Sequence, residues 1–265
     1  MARVRLVRFL ALPAVLIALA GAGAHPGAAP DAGDTRPAAT KYPTNAAKIF
    51  RWGNAQVKDE FKAPLSSRWA VNRTTQVRNQ HGMLTLDARR GDVVATLTGN
   101  PRQYGRWEAR VRGRQYGSGG TPYRVVWELA PYGAHNCGAR NIVLADYALG
   151  SNLTTMHLRN LPDVDFTTGK PLPLSGNQFH TYAVEVTPDR ISWFVDTRVV
   201  MTERRSSART GATYAMRFRL VSTPGVRMNR GRMQMDWARY YTLARPNAKS
   251  IEAPPATVTR YADAC

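Results

Sequence analysis

The sequence predicts an all-β protein, a sandwich or jelly roll of two antiparallel sheets. Short runs of alternating apolar and polar residues recur along it, each bounded by Gly, Pro, Asn or Asp. No stretch keeps a long helical periodicity, and no internal repeat is present. Many short strands at this spacing suit two packed sheets.

Each element has its own justification. Met83–Asp87 alternates cleanly. In Arg106–Arg112, Trp107, Ala109 and Val111 share one face and the charges share the other, as in a half-buried antiparallel strand. Tyr123–Leu129 is mostly apolar and suits a more buried strand. Tyr182–Val186 and Ile191–Val195 are joined by Thr187-Pro188-Asp189-Arg190, whose Pro-Asp favours a turn. In Met216–Val221 the apolar Met216, Phe218 and Leu220 point inward, and Arg217 and Arg219 point outward. Met233–Leu243 is the closing strand. Trp107, Trp193 and Trp237 fall on faces that read as core.

The ends carry different signals. Arg3, Arg5 and Arg8 precede the apolar run Phe9–Ala20 and the small residues Ala22-Gly23-Ala24. This is the anatomy of a secretory signal peptide over residues 1–24, so a secreted, extracellular protein is expected. The run is shorter than the roughly 20 residues of a membrane span, and no later segment is apolar enough to cross. Residues 25–47, rich in Ala, Pro, Gly, Asp and Thr, read as a flexible leader. Residues 48–245 suit one domain, and 246–265, with Pro254-Pro255, suit an irregular tail. Cys137 and Cys265 are an even pair in an exported chain, which favours a disulfide over two free thiols. No Cys/His spacing of the metal-binding kind occurs, and nothing calls for a metal or cofactor.

The formal net charge is +19, and nearly all the positive charge is arginine. Nucleic acid, an anionic cell envelope and an acidic polysaccharide are all compatible partners. The absence of helix-turn-helix, zinc-finger and RNA-binding motifs argues against specific nucleic-acid recognition. Oligomeric state is not legible.

The order of motifs resembles glycoside hydrolase family 16. Asp59-Glu60-Phe61 with Arg68-Trp69 resembles the family's opening. Tyr104–Val111 is similar to its Y-G-R-[FY]-E-A-R-V strand, and Val126–Pro131 stands where the family has F-W-L-L-P. Thr155-Met156-His157 resembles T-L-H, Phe179–Asp196 resembles F-H-T-Y-A-[VI]-E-W-T-P-D-x-I-x-W-Y-V-D, and Met235–Tyr241 resembles the final V-D-Y-V-R-V-Y. The resemblance spans about residues 57–243. It implies a concanavalin A-like jelly roll with a polysaccharide in its cleft.

The family's catalytic strand reads E-[IL]-D-[IV]-x-E-[YF]. Retaining hydrolysis needs a carboxylate nucleophile and a carboxylic acid/base about 5–5.5 Å apart. The extra residue before the last Glu implies a bulge that returns it to the cleft face. On this chain the resemblance puts Asn141 at the nucleophile position, Val143 at the middle acid and Asp146 at the acid/base. An amide cannot form the glycosyl ester, and valine cannot hold a proton. Glu128 is the substitute carboxylate, provided that it faces the cleft and is not paired with an arginine. Tyr123, Trp127, Tyr132 and Tyr147 lie on or beside the expected cleft, and Tyr123, Trp127, Tyr147 and His157 are the candidate substrate-binding residues. Two functions stay open: a polysaccharide binder without normal retaining hydrolysis, taking a β-glucan-type or anionic cell-envelope glycan, and a divergent endo-acting hydrolase using Asp146 with Glu128. A third, a charge-driven polyanion binder, rests on composition alone.

Overall fold

Alternation along each strand sorts side chains onto two faces, and two antiparallel sheets of eight strands bury one face of each against the other. The computed structural model describes residues 45–133, 139–246 and 252–261, all within one unit spanning Lys41–Cys265. After a one-turn helix α1 (Ala46–Ile49) come β1 (Val57–Asp59), β2 (Trp69–Val71), β3 (Val77–Gln80), β4 (Met83–Ala88), β5 (Val93–Leu97) and β6 (Gly105–Tyr116). The chain continues through β7 (Arg124–Pro131), β8 (Ile142–Ala148), β9 (Leu153–Asn160), β10 (Val164–Pro171), β11 (His180–Val186) and β12 (Ile191–Val195). It closes with β13 (Arg198–Glu203), β14 (Tyr214–Val221), β15 (Arg230–Tyr241) and β16 (Thr257–Arg260).

The back sheet has the order β13-β12-β11-β6-β15-β4-β3, with β1 also pairing with β15. The front sheet has the order β16-β10-β9-β8-β7-β14-β5-β2. Trp107, Tyr182, Trp193 and Met233 from the back meet Trp127, Leu144, Met156 and Phe218 from the front in one core. Each fully buried side chain of this size contributes about 1.5–3 kcal/mol by leaving water. In the β11–β12 turn, the Thr187 N–H donates to the Arg190 carbonyl at 2.9 Å, as Pro188-Asp189 suggests. Trp237 is buried as expected. It lies outside the core clusters, under the Arg239 guanidinium, which is 4.1 Å from its ring centroid.

Two boundaries differ from expectation. Ala46 and Ala47, expected in the flexible leader, are buried in α1. There they pack with Phe50, Trp52, Phe194 and Tyr241 in a second cluster. The tail expected to be irregular forms β16, which pairs with β10 and covers the edge of the front sheet. An edge strand left open presents unpaired backbone groups. Ala256 anchors this tail: its N–H donates to Glu203 Oε2 at 3.2 Å, and its carbonyl accepts from Arg205 Nη2 at 2.7 Å. β16 escapes sequence reading because its four residues are all exposed and bury no face. The expected signal peptide at 1–24, the leader to residue 44, Cys137 and Cys265 lie outside the described residues. Among the described residues no helix is long and apolar enough to cross a membrane.

Beneath α1 lies an ionisable pair of opposite fates. Arg106 is buried against Glu185 and donates to the carbonyls of Thr242 and Arg245 at 3.0 and 2.7 Å. Glu108 is fully buried, and its Oε1 accepts the Ala47 N–H at 3.3 Å. Burial pushes its carboxyl from the ordinary 4.5 up to about 7, against the pull of the Ala47 and Ala46 N–H groups and Arg239. The raised value means that the folded chain binds more protons than the unfolded chain between these limits. Stability from this group is therefore complete below pH 4.5 and is lost as the pH rises through about 7. Glu108→Gln has no such titration. Relative to the parent it should gain about 3 kcal/mol between acidic and mildly alkaline pH. Urea denaturation of both proteins across that range measures this, and parallel stability curves would refute it.

Candidate functional site

The site is built on an irregularity in β8. Trp127 and Glu128 are consecutive on β7, yet they pair with Ala145 and Val143, leaving Leu144 as an extra residue. The register against β9 shifts at the same place. Leu144 and Ala145 both enter the core, and this bulge resets the alternation. Asn141, Val143 and Asp146 are thereby on the outer face of the front sheet. The bulge is held from across the core, where Trp193 Nε1–H donates to the Val143 carbonyl at 3.0 Å.

The outer face is paved with ion pairs. Glu128 stands directly opposite Arg217 on β14. Its Oε1 accepts from Arg217 Nε at 2.7 Å and from Arg219 Nη1 at 3.4 Å. Its Oε2 accepts from Asn141 Nδ2 at 2.7 Å. Both oxygens are engaged, and the side chain is buried beneath the arginines. Arg219 also reaches Asp92 at 3.6 Å. A second chain of charges runs across β7, β8, β9 and β10. Arg124 grips both oxygens of Asp146, with Nε donating to Oδ1 at 3.0 Å and Nη2 to Oδ2. His157 Nε2 stands 3.6 Å from Asp146 Oδ2, and its Nδ1 stands 3.5 Å from Asp165 Oδ1. Arg159 completes the row, 3.5 Å from Asp165 Oδ2.

These neighbours set the protonation. Burial raises the Asp146 carboxyl, but His157 and Arg124 outweigh it and hold the group below its ordinary value. Burial lowers the His157 imidazole, but Asp146 and Asp165 outweigh it and hold the group above its ordinary value. The row therefore stabilises the Asp146 carboxylate and the protonated form of His157 together. Asp146 is an anion clamped by cations, with no proton to donate at neutral pH. Asn141 offers its amide to Glu128 and carries no nucleophilic oxygen anion.

The structure brings together four of the residues expected at the site: Asn141, Asp146, Glu128 and His157. It moves three others away. Tyr123 and Trp127 are 0% exposed and Tyr147 is 4% exposed, all in the core and none on the outer face. Glycines make room for two of these rings. A Cβ at Gly113 would lie 3.1 Å from Tyr147 Oη, and one at Gly231 would lie 3.2 Å from Tyr123 Cδ2. Tyr132, just beyond β7, is half exposed. Sequence reasoning did not single out Arg124, Arg159 or Asp165. The alternation of Val164-Asp165-Phe166 places Asp165 opposite the core face, but its meeting with His157 depends on pairing between β9 and β10. Among the described residues, no group of three or more His, Cys, Asp or Glu is arranged to hold a metal ion.

Residues 169–239 match the family model of glycosyl hydrolases family 16. Two antiparallel sheets in the jelly-roll arrangement are also shared with solved structures of that family. The chain is consistent with a family 16 member. The family 16 match begins beyond β8 and so omits the strand where the catalytic acids would stand. The laminarinase from Rhodothermus marinus superposes with a TM-score of 0.56 at 17% identity, covering 71% of this chain and 96% of that one. The laminarinase domain from Thermotoga petrophila gives 0.58 at 15%, covering 72% and 98%. An endo-acting O-glycanase of the human gut microbiota that initiates mucin breakdown gives 0.58 at 16%, covering 72% and 100%. At these identities the likeness is one of fold. Curated protein sequences yield no match.

The bulge yields a direct test. Trp193→Phe keeps the ring in the core but leaves the buried Val143 carbonyl without its donor. The cost should be about 1–3 kcal/mol by urea denaturation. Amide exchange should quicken at residues 143–146 before the rest of β8. Uniform exchange across β8 would show that the indole does not hold the bulge.

Proposed function

We propose that the protein is a secreted glycan-binding member of the family 16 fold that holds a polysaccharide on the outer face of the front sheet without normal retaining hydrolysis. The pairing of Asp146 with Arg124 and His157 carries this reading. Retaining hydrolysis requires a carboxylic acid with a raised pKa to protonate the leaving oxygen. Asp146 is shifted the opposite way, and the residue at the nucleophile position is an amide. The same face offers much to a glycan. Arg124 is half exposed, and Arg159, Arg217 and Arg219 are each partly exposed, so guanidinium donors line a strip above a firm floor. Tyr132 adds an accessible ring near the end of β7. Such donors suit hydroxyl groups, and suit carboxylate or sulfate groups better still. Both β-glucan-type and anionic cell-envelope glycans remain within this reading.

A second reading, a divergent endo-acting hydrolase, rests on the diagonal between Glu128 and Asp146. Glu128 faces Val143 and Asp146 faces Val126, a relation that separates their backbones by about 7–8 Å. An inverting pair works at about 6.5–9.5 Å between carboxyls. The three donors already on Glu128 weigh against it.

Reducing-end release and binding, measured on laminarin, separate the two. Binding without new reducing ends is expected, with Arg124→Ala weakening it about tenfold through loss of the half-exposed guanidinium donor. Turnover that disappears in Asp146→Ala would overturn the binding-only reading. Restoring the acids tests the ancestry of the face. Asn141→Glu with Val143→Asp and Asp146→Glu sets a new carboxylate against Glu128. That triple variant should lose about 3 kcal/mol of stability. Adding Glu128→Gln should recover most of the loss and give the first detectable hydrolysis. A stable but inert quadruple variant would show that the face does not retain a catalytic geometry.

A further inference from the structure

The opposite side of the molecule carries a second, different electrostatic surface. On β6 the outward residues are Arg110, Arg112, Arg114 and Tyr116, and on β15 they include Arg230 and Arg232. Cross-strand pairing sets Arg230 beside Tyr116 and Arg232 beside Arg114. Arg78 on β3 completes a field of six arginines on the outer face of the back sheet. Asp87 pairs with Arg78, Arg230 and Arg232, and Asp236 pairs with Arg110. Two carboxylates against six guanidinium groups leave the field strongly positive. Among the described residues, Arg112 and Arg114 have no carboxylate partner. Arg112 donates to Gln234 Oε1 at 2.7 Å, and Arg114 stacks over Tyr116 at 5.0 Å.

The field is ordered as well as charged. Arg110 and Arg112 lie over the Phe179 ring at 4.5 and 4.4 Å, and Arg230 and Arg232 lie over Tyr116 at 5.3 and 5.1 Å. Ring stacking holds the planar groups in place, so less rotamer freedom is lost when a ligand binds. Burial lowers the Arg112 guanidinium, with Arg110 and Arg232 adding to the shift and Tyr116 and Asp236 opposing it. Along one strand such groups recur about every 6.8 Å, and across strands about every 4.8 Å. Beyond Arg114 opens a cavity of about 410 Å³, lined by Arg114, Gln115, Ser175, Asn177 and three glycines.

We infer that the outer face of the back sheet binds a linear acidic glycan, its uronate carboxylates or sulfates taken by Arg112, Arg114, Arg230 and Arg232 and a sugar unit seated in the adjoining polar cavity. The planar fork of arginine matches both oxyanions. A nucleic acid fits less well. Guanidinium groups already lie against the Tyr116 and Phe179 rings and compete with the stacking of a single-stranded base. A sheet face of paired strands also presents no helix to enter a major groove. This surface is separate from the front face, and the two stand or fall independently.

The test measures binding of the full chain to polygalacturonate, to chondroitin sulfate, to neutral dextran and to single-stranded poly-dT, at two salt concentrations. Acidic glycan should bind and weaken with salt, and dextran should not bind. Polygalacturonate carries carboxylates alone and chondroitin sulfate carries both groups, so tighter binding of the second assigns a part to sulfate. The Arg112→Ala and Arg114→Ala double variant should lose affinity at least about tenfold. Arg114→Glu, at an exposed position, gives the same direction should the double variant fold poorly. Arg114→Glu should leave laminarin binding, assigned to the front face, unchanged. The inference is overturned if Arg114→Glu binds acidic glycan as the parent does, or if poly-dT binds more tightly than either glycan at equal salt.

Discussion

The bulge at Leu144 and Ala145 is the constraint on which the front face depends. A regular strand would turn Asp146 into the core and Tyr147 out to solvent, because each one-residue step exchanges faces. Two consecutive inward side chains reset that alternation. Asp146 then meets Arg124 and His157, while Tyr147 fills space opened by Gly113. Backbone bonding to β9 shifts at this point, and the Val143 carbonyl is satisfied from the far sheet by the Trp193 indole. The two sheets are thereby joined at the place where the candidate site is made.

Electrostatics then decides what that geometry can do. A chain with a net charge of +19 must spend its few carboxylates where they matter. On the front face each acid is placed between cations: Glu128 between Arg217, Arg219 and the Asn141 amide, and Asp146 between Arg124 and His157. For Asp146 this pairing stabilises the ionised form and opposes proton donation. The back face has the reverse balance, with arginines in excess and stacked on Tyr116 and Phe179. The same residue type thus neutralises the acids of one surface and stands in excess on the other.

Much of the fold was legible because alternation is local. Met216, Phe218 and Leu220 point inward and Arg217 and Arg219 outward as their order requires. The bulge was legible through the family's spacing before its last acid. The aromatic residues of the site were misplaced where the pattern has no polar partner to set the face. In Val125-Val126-Trp127 both faces are apolar, so Trp127 reads equally well either way. Glu128 was the informative neighbour: once it faces outward, Trp127 must face the core. The β16 strand was hidden for another reason. It buries nothing of its own and exists because β10 offers an edge.

The sequence by itself determined an all-β chain and an order of motifs that resembles family 16, with an amide at 141 and a valine at 143. These follow from residue types and from spacing within one strand. The tertiary structure alone decided that Glu128 is bonded to Arg217 and Arg219, that Asp146 is an anion beside His157, and that Tyr123, Trp127 and Tyr147 are core. Each of those facts depends on which strands lie side by side and in what register. Arg217 is 89 residues from Glu128 along the chain, and only sheet pairing brings their charges to 2.7 Å.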